Sequence, residues 1–130
     1  MFEISIDAVF AASHAILLPD GSLEPLHGHN WPVRVTVASD TLDAIETVMD
    51  FHELEQLVES IIGPWRNRHL NDVAPFSDGK GAPGGLAINC SAERVAWWIG
   101  EEVKRRLPPR VRLVGARVGE APGCFATYRP

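Results

Sequence analysis

The chain has 130 residues, of which 45% are hydrophobic and 22% charged, so it is long enough to bury one core and too short for two stacked domains. Its 12 basic and 17 acidic residues give a formal net charge of -5. A protein whose main role is to bind nucleic acid or an anionic membrane would carry a positive charge instead. No apolar run approaches the roughly 18 residues of a membrane span, and the first residues lack the pattern of a signal peptide. Only two cysteines are present, and reduced thiols are expected for both. We therefore expect one cytoplasmic domain over residues 1–130 that binds neither nucleic acid nor membrane.

The first part of the chain carries two period-two patterns. Apolar side chains alternate with polar ones from Phe2 to Phe10, as in a half-buried strand. A second alternation, rich in β-branched residues, runs from Trp31 to Val37. Between them, the segment from Leu17 to Pro25 contains Pro19-Asp20-Gly21, which is typical of a turn. The sequence therefore predicts an antiparallel pair of strands.

Two helices are predicted after this pair. Asp50 is a suitable N-cap for an apolar pattern of helical spacing that ends at Gly63-Pro64. Ser91 is a suitable cap for a second amphipathic helix, which ends before Pro108-Pro109.

The remaining segments are one loop and two strands. Pro and Gly recur from Val73 to Asn89 with little periodicity, which predicts a long mobile loop. Short strands are expected from Val111 to Val118 and from Cys124 to Tyr128. The order of elements predicts an α+β fold, with a four-stranded antiparallel sheet and both helices packed on one face.

A candidate metal site lies at the start of the second strand. His27 and His29 flank Gly28, and residues two apart on a strand project from the same face. His14 ends the first strand and comes near this pair if the strands are antiparallel. Three neutral imidazoles with one open position suit a catalytic zinc ion. By spacing alone, two surface histidines at a strand start are the commoner outcome.

Several short motifs follow one another along the chain: Phe10-Ala11-Ala12-Ser13-His14, Leu26-His27-Gly28-His29-Asn30-Trp31, Val48-Met49-Asp50-Phe51, His69-Leu70-Asn71-Asp72, Ser91-Ala92-Glu93, and Glu120 ahead of Tyr128. Together they resemble the successive motifs of the 6-pyruvoyl-tetrahydropterin synthase family, which includes the 6-carboxy-tetrahydropterin synthase of queuosine synthesis. The resemblance runs from Phe2 to Tyr128. It implies Zn²⁺ held by His14, His27 and His29. It also implies the tunnelling fold, in which the sheets of several protomers join into a barrel, usually a homo-oligomeric hexamer made of two trimers.

The resemblance further implies a small-molecule pterin site between subunits. In the family, a glutamate near the last strands anchors the ring nitrogens of the pterin, and Glu120 matches that position. A carboxylate suits this role because it accepts two parallel N–H bonds from the guanidine-like edge of the ring. Without the resemblance, Glu120 would be interpreted as a solvated turn residue. Ser91 keeps the hydroxyl of the family's P-T-x-E motif and is a further candidate for substrate binding.

The catalytic groups depart from the family pattern. The family's cysteine lies four residues before the H-G-H pair, where this chain has Leu23. Glu24 follows it, and the resulting E-x-x-H-G-H pattern looks like the family branch that cleaves the dihydroneopterin side chain to 6-hydroxymethyl-dihydropterin. Glu24 is therefore the candidate base, since a carboxylate near zinc can take a proton from a side-chain hydroxyl. The alternative is an exposed loop glutamate before Pro25.

A second departure concerns the family's Asp-His pair, which aligns here with Arg66-Asn67. Neither residue serves as an acid-base relay near neutral pH. His69 is the nearest imidazole that could substitute for it. Arg66 is a candidate to pair with substrate phosphates, although ordinary surface ion pairs are an equal alternative.

These observations lead to one main hypothesis and two alternatives. The main hypothesis is a zinc-dependent lyase acting on 7,8-dihydroneopterin or its triphosphate, with an altered catalytic pocket. The first alternative is a non-catalytic homologue that binds a pterin and keeps zinc but has lost turnover. The second is an oligomeric scaffold with a structural metal and no affinity for pterins.

Overall fold

The computed structural model describes residues 1–77 and 89–130. Within this part, five strands form one sheet in the order β3-β1-β2-β4-β5, and two α-helices accompany it. The strands are β1 (Phe2–His14), β2 (His27–Ser39), β3 (Arg68–His69), β4 (Arg112–Ala121) and β5 (Cys124–Tyr128), and the helices are α1 (Phe51–Ile62) and α2 (Ala92–Arg106). The predicted α+β class is confirmed. Among the described residues, neither helix is long and apolar enough to cross a membrane.

A long antiparallel hairpin of β1 and β2 forms the centre of the sheet. Its register runs without a break from the pair Phe2 and Ser39 to the pair His14 and His27. The period-two pattern explains this register, because a slip of one residue would turn the apolar side chains of both strands to the wrong face. The hairpin therefore fixes which side chains meet at its end, where His14 and His27 lie.

Both helices pack on the apolar face of this sheet. Leu54 of α1 and Val95 of α2 belong to the same buried cluster as Phe10 and Val35 of the central hairpin. Burial of such side chains contributes about 1.5–3 kcal/mol each, so this common core holds the layers together. The prediction of two helices on one face is confirmed.

The helix ends follow the predicted caps. Asp50 accepts a hydrogen bond from the backbone N–H of His52 at 2.8 Å, and Ser91 Oγ accepts one from the N–H of Arg94 at 3.2 Å. Each bond satisfies an N–H that has no partner within its helix. Ser91 therefore has the structural role expected of it at the start of α2.

The expected sheet of four strands gains a fifth, very short one. In β3, Arg68 and His69 pair in parallel with Ala12 and Ser13 of β1. Asn67, just before it, has a positive φ of 56° and donates its N–H to the carbonyl of Ala11 at 2.7 Å. Two residues are too few to show an alternation in the sequence, which is why only the four longer strands were predicted.

The predicted mobile loop from Val73 to Asn89 is described only at its ends. Residues 78–88 lie outside the described residues. Before them, Phe76 is buried and packs against Trp65 with the ring centroids 5.4 Å apart. At the other end, the side chain of Asn89 makes two hydrogen bonds of 3.0 Å to the backbone of Leu17. The described ends of this segment are therefore anchored.

Candidate metal centre

The hairpin brings the three predicted metal ligands together on the helix-facing side of the sheet. His14 and His27 are paired directly across the strands, and His29 pairs with Ala12. Alternation along a strand places His27 and His29 on one face, and His14 lies on that face opposite His27. The side chain of His14 is fully buried, and those of His27 and His29 are 38% and 18% exposed.

Two of these rings are oriented by backbone carbonyls. Nδ1 of His14 lies 2.8 Å from the carbonyl oxygen of Cys90, and Nδ1 of His27 lies 2.9 Å from that of Pro25. A carbonyl only accepts, so each Nδ1 carries the proton and donates it. In the neutral rings, both Nε2 atoms therefore present a lone pair to the centre of the cluster.

These lone pairs converge in the way that a metal ion requires. The two Nε2 atoms of His14 and His27 are 3.1 Å apart, and a hydrogen bond between them would need one ring to be charged. Nε2 of His29 is buried and, apart from an ionic contact to Glu120, has no hydrogen-bond partner among the described residues. In a tetrahedral site with bonds of about 2.0–2.1 Å, ligand atoms are about 3.3 Å apart. The donors present thus fit a divalent ion such as zinc.

The environment also keeps His29 neutral. Burial is the main cause that lowers the pKa of His29, and the nearby rings of His14 and His27 lower it further. The negative charge of Glu120 acts in the opposite direction but does not reverse the shift. Since only the neutral imidazole binds a metal, this shift favours ligation at neutral pH.

Glu120 completes the cluster from the end of β4. Its Oε1 lies 3.0 Å from Nε2 of His14, 3.3 Å from that of His29 and 3.9 Å from that of His27. The ligand atoms of the four residues all lie within 4.8 Å of one another. The sequence singled out Glu120 as a pterin anchor, and its approach to the histidines was not foreseen. A carboxylate distant in sequence from the H-x-H pair carries no spacing signal for such a contact.

Glu24, the candidate base, lies at the rim of the same cluster. Its Oε1 is 3.8 Å from Nε2 of His27 and accepts a hydrogen bond of 3.0 Å from the N–H of Ile16. The backbone N–H of Glu24 in turn donates to the carbonyl of Ile16 at 3.0 Å. These two bonds hold the connection between β1 and β2 in a conformation that keeps Glu24 beside His27. By contrast, Leu23 is 59% exposed.

A buried tryptophan packs against two of the candidate metal ligands. Trp31 is fully buried, and its Nε1–H donates to the carbonyl of Ala12 at 3.1 Å. The edges of the His14 and His29 rings meet it at centroid distances of 4.8 and 5.4 Å. The ring of Phe10 also stacks on that of Trp31, nearly parallel to it and with the ring centroids 5.7 Å apart. The sequence placed Trp31 only on one side of the predicted second strand, and its ring also restricts the rotamers of two candidate ligands.

Cys90 lies close to the site but does not replace the family's cysteine. Its thiol is buried and lies 3.2 Å from Oδ1 of Asn71. Burial raises the pKa of this thiol, so the nucleophilic thiolate is disfavoured. The contribution of Cys90 is its carbonyl, which orients His14. Sequence reasoning missed this contact because it joins residues that are distant along the chain.

Two predicted residues lie apart from the cluster. Nδ1 of His69 is hydrogen-bonded to Oγ of Ser13 at 3.0 Å. Because Ser13 directly precedes His14 on β1, the side chain of Ser13 projects from the face of the sheet opposite to that of His14. Arg66 is engaged by both oxygens of Glu59, at 2.6 and 3.0 Å, rather than being free for a phosphate. Within one chain, neither His69 as a relay nor Arg66 as a phosphate ligand is therefore positioned next to the metal ligands.

Comparisons with known proteins agree with this architecture. A family model described as 6-pyruvoyl tetrahydropterin synthase matches residues 3–130. A dihydroneopterin monophosphate aldolase from Pyrococcus furiosus is 29% identical over 106 residues, which cover 82% of this chain and 78% of that protein. A 6-carboxy-5,6,7,8-tetrahydropterin synthase from Bacillus subtilis is 31% identical over 135 residues, covering 99% of this chain and 86% of that protein. The structure of Caenorhabditis elegans 6-pyruvoyl tetrahydropterin synthase is similar with a TM-score of 0.76 at 20% identity, covering 100% of this chain and 97% of that one. This chain belongs to the 6-pyruvoyl tetrahydropterin synthase family.

Proposed function

We propose that this protein is a zinc-dependent lyase that cleaves the side chain of 7,8-dihydroneopterin or of one of its phosphate esters. His14, His27 and His29 would hold the zinc ion, and Glu24 would act as the base. The observation that carries the proposal is the convergence of three imidazole rings, one of which has the carboxylate of Glu24 3.8 Å from its Nε2. A metal ion held by these imidazoles and a carboxylate 3.8 Å from one of them would suit the removal of a proton from a side-chain hydroxyl.

We favour cleavage of a carbon-carbon bond in this side chain. Glu24 takes the proton of the 2′-hydroxyl, and the bond between C1′ and C2′ then breaks. Its electron pair passes into the conjugated ring system, C2′ becomes an aldehyde, and C1′ regains a proton from Glu24. When bound, zinc supplies Lewis acidity that polarises the side-chain oxygens. The products are 6-hydroxymethyl-7,8-dihydropterin and glycolaldehyde or its phosphate ester.

Two observations support cleavage of this bond rather than the reaction of the main branch. The position of the family's cysteine is the exposed Leu23, whereas Glu24 turns its carboxylate to the cluster. The relative from Pyrococcus furiosus is named as an aldolase of dihydroneopterin monophosphate, and an aldolase breaks a carbon-carbon bond. Together they make a phosphorylated dihydroneopterin a substrate to be tested first.

The pterin ring would be anchored by the carboxylate of Glu120, at a site completed by a second copy of the chain. A carboxylate can accept two N–H bonds from the ring edge, as the family resemblance implies. Apolar side chains such as Val9 and Phe125 are 51% and 52% exposed, which supports burial in a homo-oligomer. Light scattering of the purified protein tests this part of the proposal, and the hexamer of two trimers is the expected state.

We place this activity in the cytoplasm. Cys90 and Cys124 are both free thiols, which is consistent with a reducing compartment. Localisation of the tagged protein in fractionated cells tests this expectation.

The decisive experiment is the product profile of the zinc-loaded protein with dihydroneopterin and with its mono- and triphosphates. Mass spectrometry should show the 6-hydroxymethyl product, and Glu24→Gln should reduce its rate by about 10²–10⁴-fold. Glutamine keeps a carbonyl oxygen for the N–H of Ile16, so the variant isolates the loss of the base. A 6-pyruvoyl or 6-carboxy product would place the enzyme in another branch of the family.

A non-catalytic pterin-binding protein is the second candidate. It is favoured by Leu23 at the cysteine position and by Arg66, which is paired with Glu59 where the family has an acid-base group. Tight binding of dihydroneopterin without any product from the zinc-loaded wild type would establish it and overturn the lyase.

A further inference from the structure

We infer that Glu120 is the fourth ligand of the metal centre while no substrate is bound, and that it leaves the metal when a pterin engages its carboxylate. The ligation is derived from the geometry of this chain, whereas the release rests on the function proposed above. Glu120 would then bind the metal ion first and the pterin afterwards. It would thereby control access to the coordination position that the substrate needs.

The first support is the placement of a single oxygen. Oε1 of Glu120 is the atom that approaches all three histidine nitrogens, at 3.0, 3.3 and 3.9 Å. These distances bracket the separation of about 3.3 Å between neighbouring ligands of a tetrahedral ion. The separation of 3.1 Å between the nitrogens of His14 and His27 belongs to the same range. One oxygen and three nitrogens, all within 4.8 Å of one another, are thus placed as candidate ligands of one ion.

The second support is the contrast with Glu24, the other carboxylate at the site. Glu24 contacts one of the histidines, at 3.8 Å, and is held in place by the N–H of Ile16. Among the described residues, the polar contacts of the Glu120 carboxylate are those to the three histidines. Within the described part of the chain, its position is therefore set by the three histidines, and no other hydrogen bond there has to break when it moves.

The position of Glu120 on β4 also permits such a movement. The pairing of β4 with β5 shifts its register between Gly119 and Ala121, the two neighbours of Glu120. The side chain is 30% exposed, so it can turn outward without disturbing the core. A substrate that offers two N–H donors would compete for this carboxylate, and its departure would free one position on the metal.

Metal affinity and coordination test the ligation without reference to turnover. Zinc affinity is measured by competition with a chromophoric chelator, and visible absorption of the Co²⁺-substituted protein reports the coordination. Loss of a group that is hydrogen-bonded to a metal ligand already costs about 10–100-fold in metal affinity. Loss of a ligand itself, in Glu120→Ala and in Glu120→Gln, should therefore weaken zinc binding at least about tenfold and change the cobalt spectrum. Glu24→Gln is the matched control and should change zinc affinity by less than about threefold. Circular dichroism of each metal-free variant checks that it is folded.

The outcomes separate the ligation, the release and the proposed function. Zinc affinity and a cobalt spectrum that are unchanged in both Glu120 variants would overturn the ligation. Addition of 7,8-dihydroneopterin to the wild-type cobalt protein should move its spectrum towards that of Glu120→Ala. If the pterin binds and the spectrum stays the same, the release is wrong. If no pterin binds while the Glu120 variants lose zinc, the proposed function fails and the ligation stands.

Discussion

Removal of one exposed candidate ligand should abolish the stabilisation that we expect from zinc, while leaving the metal-free fold intact. His27 is the suitable ligand, because its side chain is 38% exposed, whereas that of His14 is fully buried and bonded to the carbonyl of Cys90. Without metal, His27→Ala loses one exposed hydrogen bond to Pro25. It also removes the Nε2 lone pair of His27, which faces the Nε2 lone pair of His14 in the metal-free protein. The metal-free variant should therefore lie within about 1 kcal/mol of the wild type.

The size of the zinc effect follows from linkage. A ligand that binds only the native state at 100 times its dissociation constant stabilises that state by about 2.7 kcal/mol. For a domain of this size, such a gain raises the melting temperature by roughly 10 °C. The wild type should show this rise with zinc, and His27→Ala should show almost none.

Calorimetry with increasing zinc tests this expectation, and His52→Ala serves as the matched control. His52 has a side chain that is 81% exposed and contacts Glu55 on α1, so its removal should leave the full rise in melting temperature. An equal rise in His27→Ala and the wild type would refute the assignment of the metal centre. The same conclusion would follow from a rise that is lost in His52→Ala but kept in His27→Ala.

Two further predictions concern the packing and burial of side chains in the fold. Gly100→Ala should destabilise the protein by about 1–3 kcal/mol in a denaturant titration, because the added Cβ would lie 2.5 Å from Cδ1 of Tyr128 in the contact between α2 and β5; a neutral effect would contradict this packing. Cys124 is exposed and should react rapidly with an aromatic disulfide reagent, whereas Cys90 is buried with a raised pKa and should react only on unfolding. Labelling of both thiols at equal rates in the native protein would contradict the burial of Cys90.

The central hairpin was predictable because its pattern is local and its consequences are geometric. Alternation over β1 and β2 defines the inner face, and that face leaves His14, His27 and His29 few places other than one shared site. The helix caps Asp50 and Ser91 were equally accessible, since each involves residues within one helical turn.

The features that sequence reasoning missed all depend on contacts between distant segments. The carbonyl of Cys90 orients His14, and Glu120 meets the histidines from β4, although neither contact follows a spacing rule. His69 was proposed as a relay only because it is the imidazole nearest to Arg66-Asn67 along the chain. Its pairing in β3 puts it beside Ser13, on the face of the sheet opposite to that of the three candidate metal ligands.

The site divides into a rigid part and a variable part, and this division explains how the catalytic group can change while the metal ligands stay. The three histidines lie on paired strands over the buried Trp31, where strand register and packing hold them. Glu24 comes from the connection between β1 and β2, which is held mainly by bonds to the backbone of Ile16. A substitution in that connection would alter the proposed base without moving the three histidines. If Glu24 is the base, Leu23 and Glu24 stand in place of the family's cysteine at little cost to the fold, and we expect the specificity to depend on the connection rather than on the sheet.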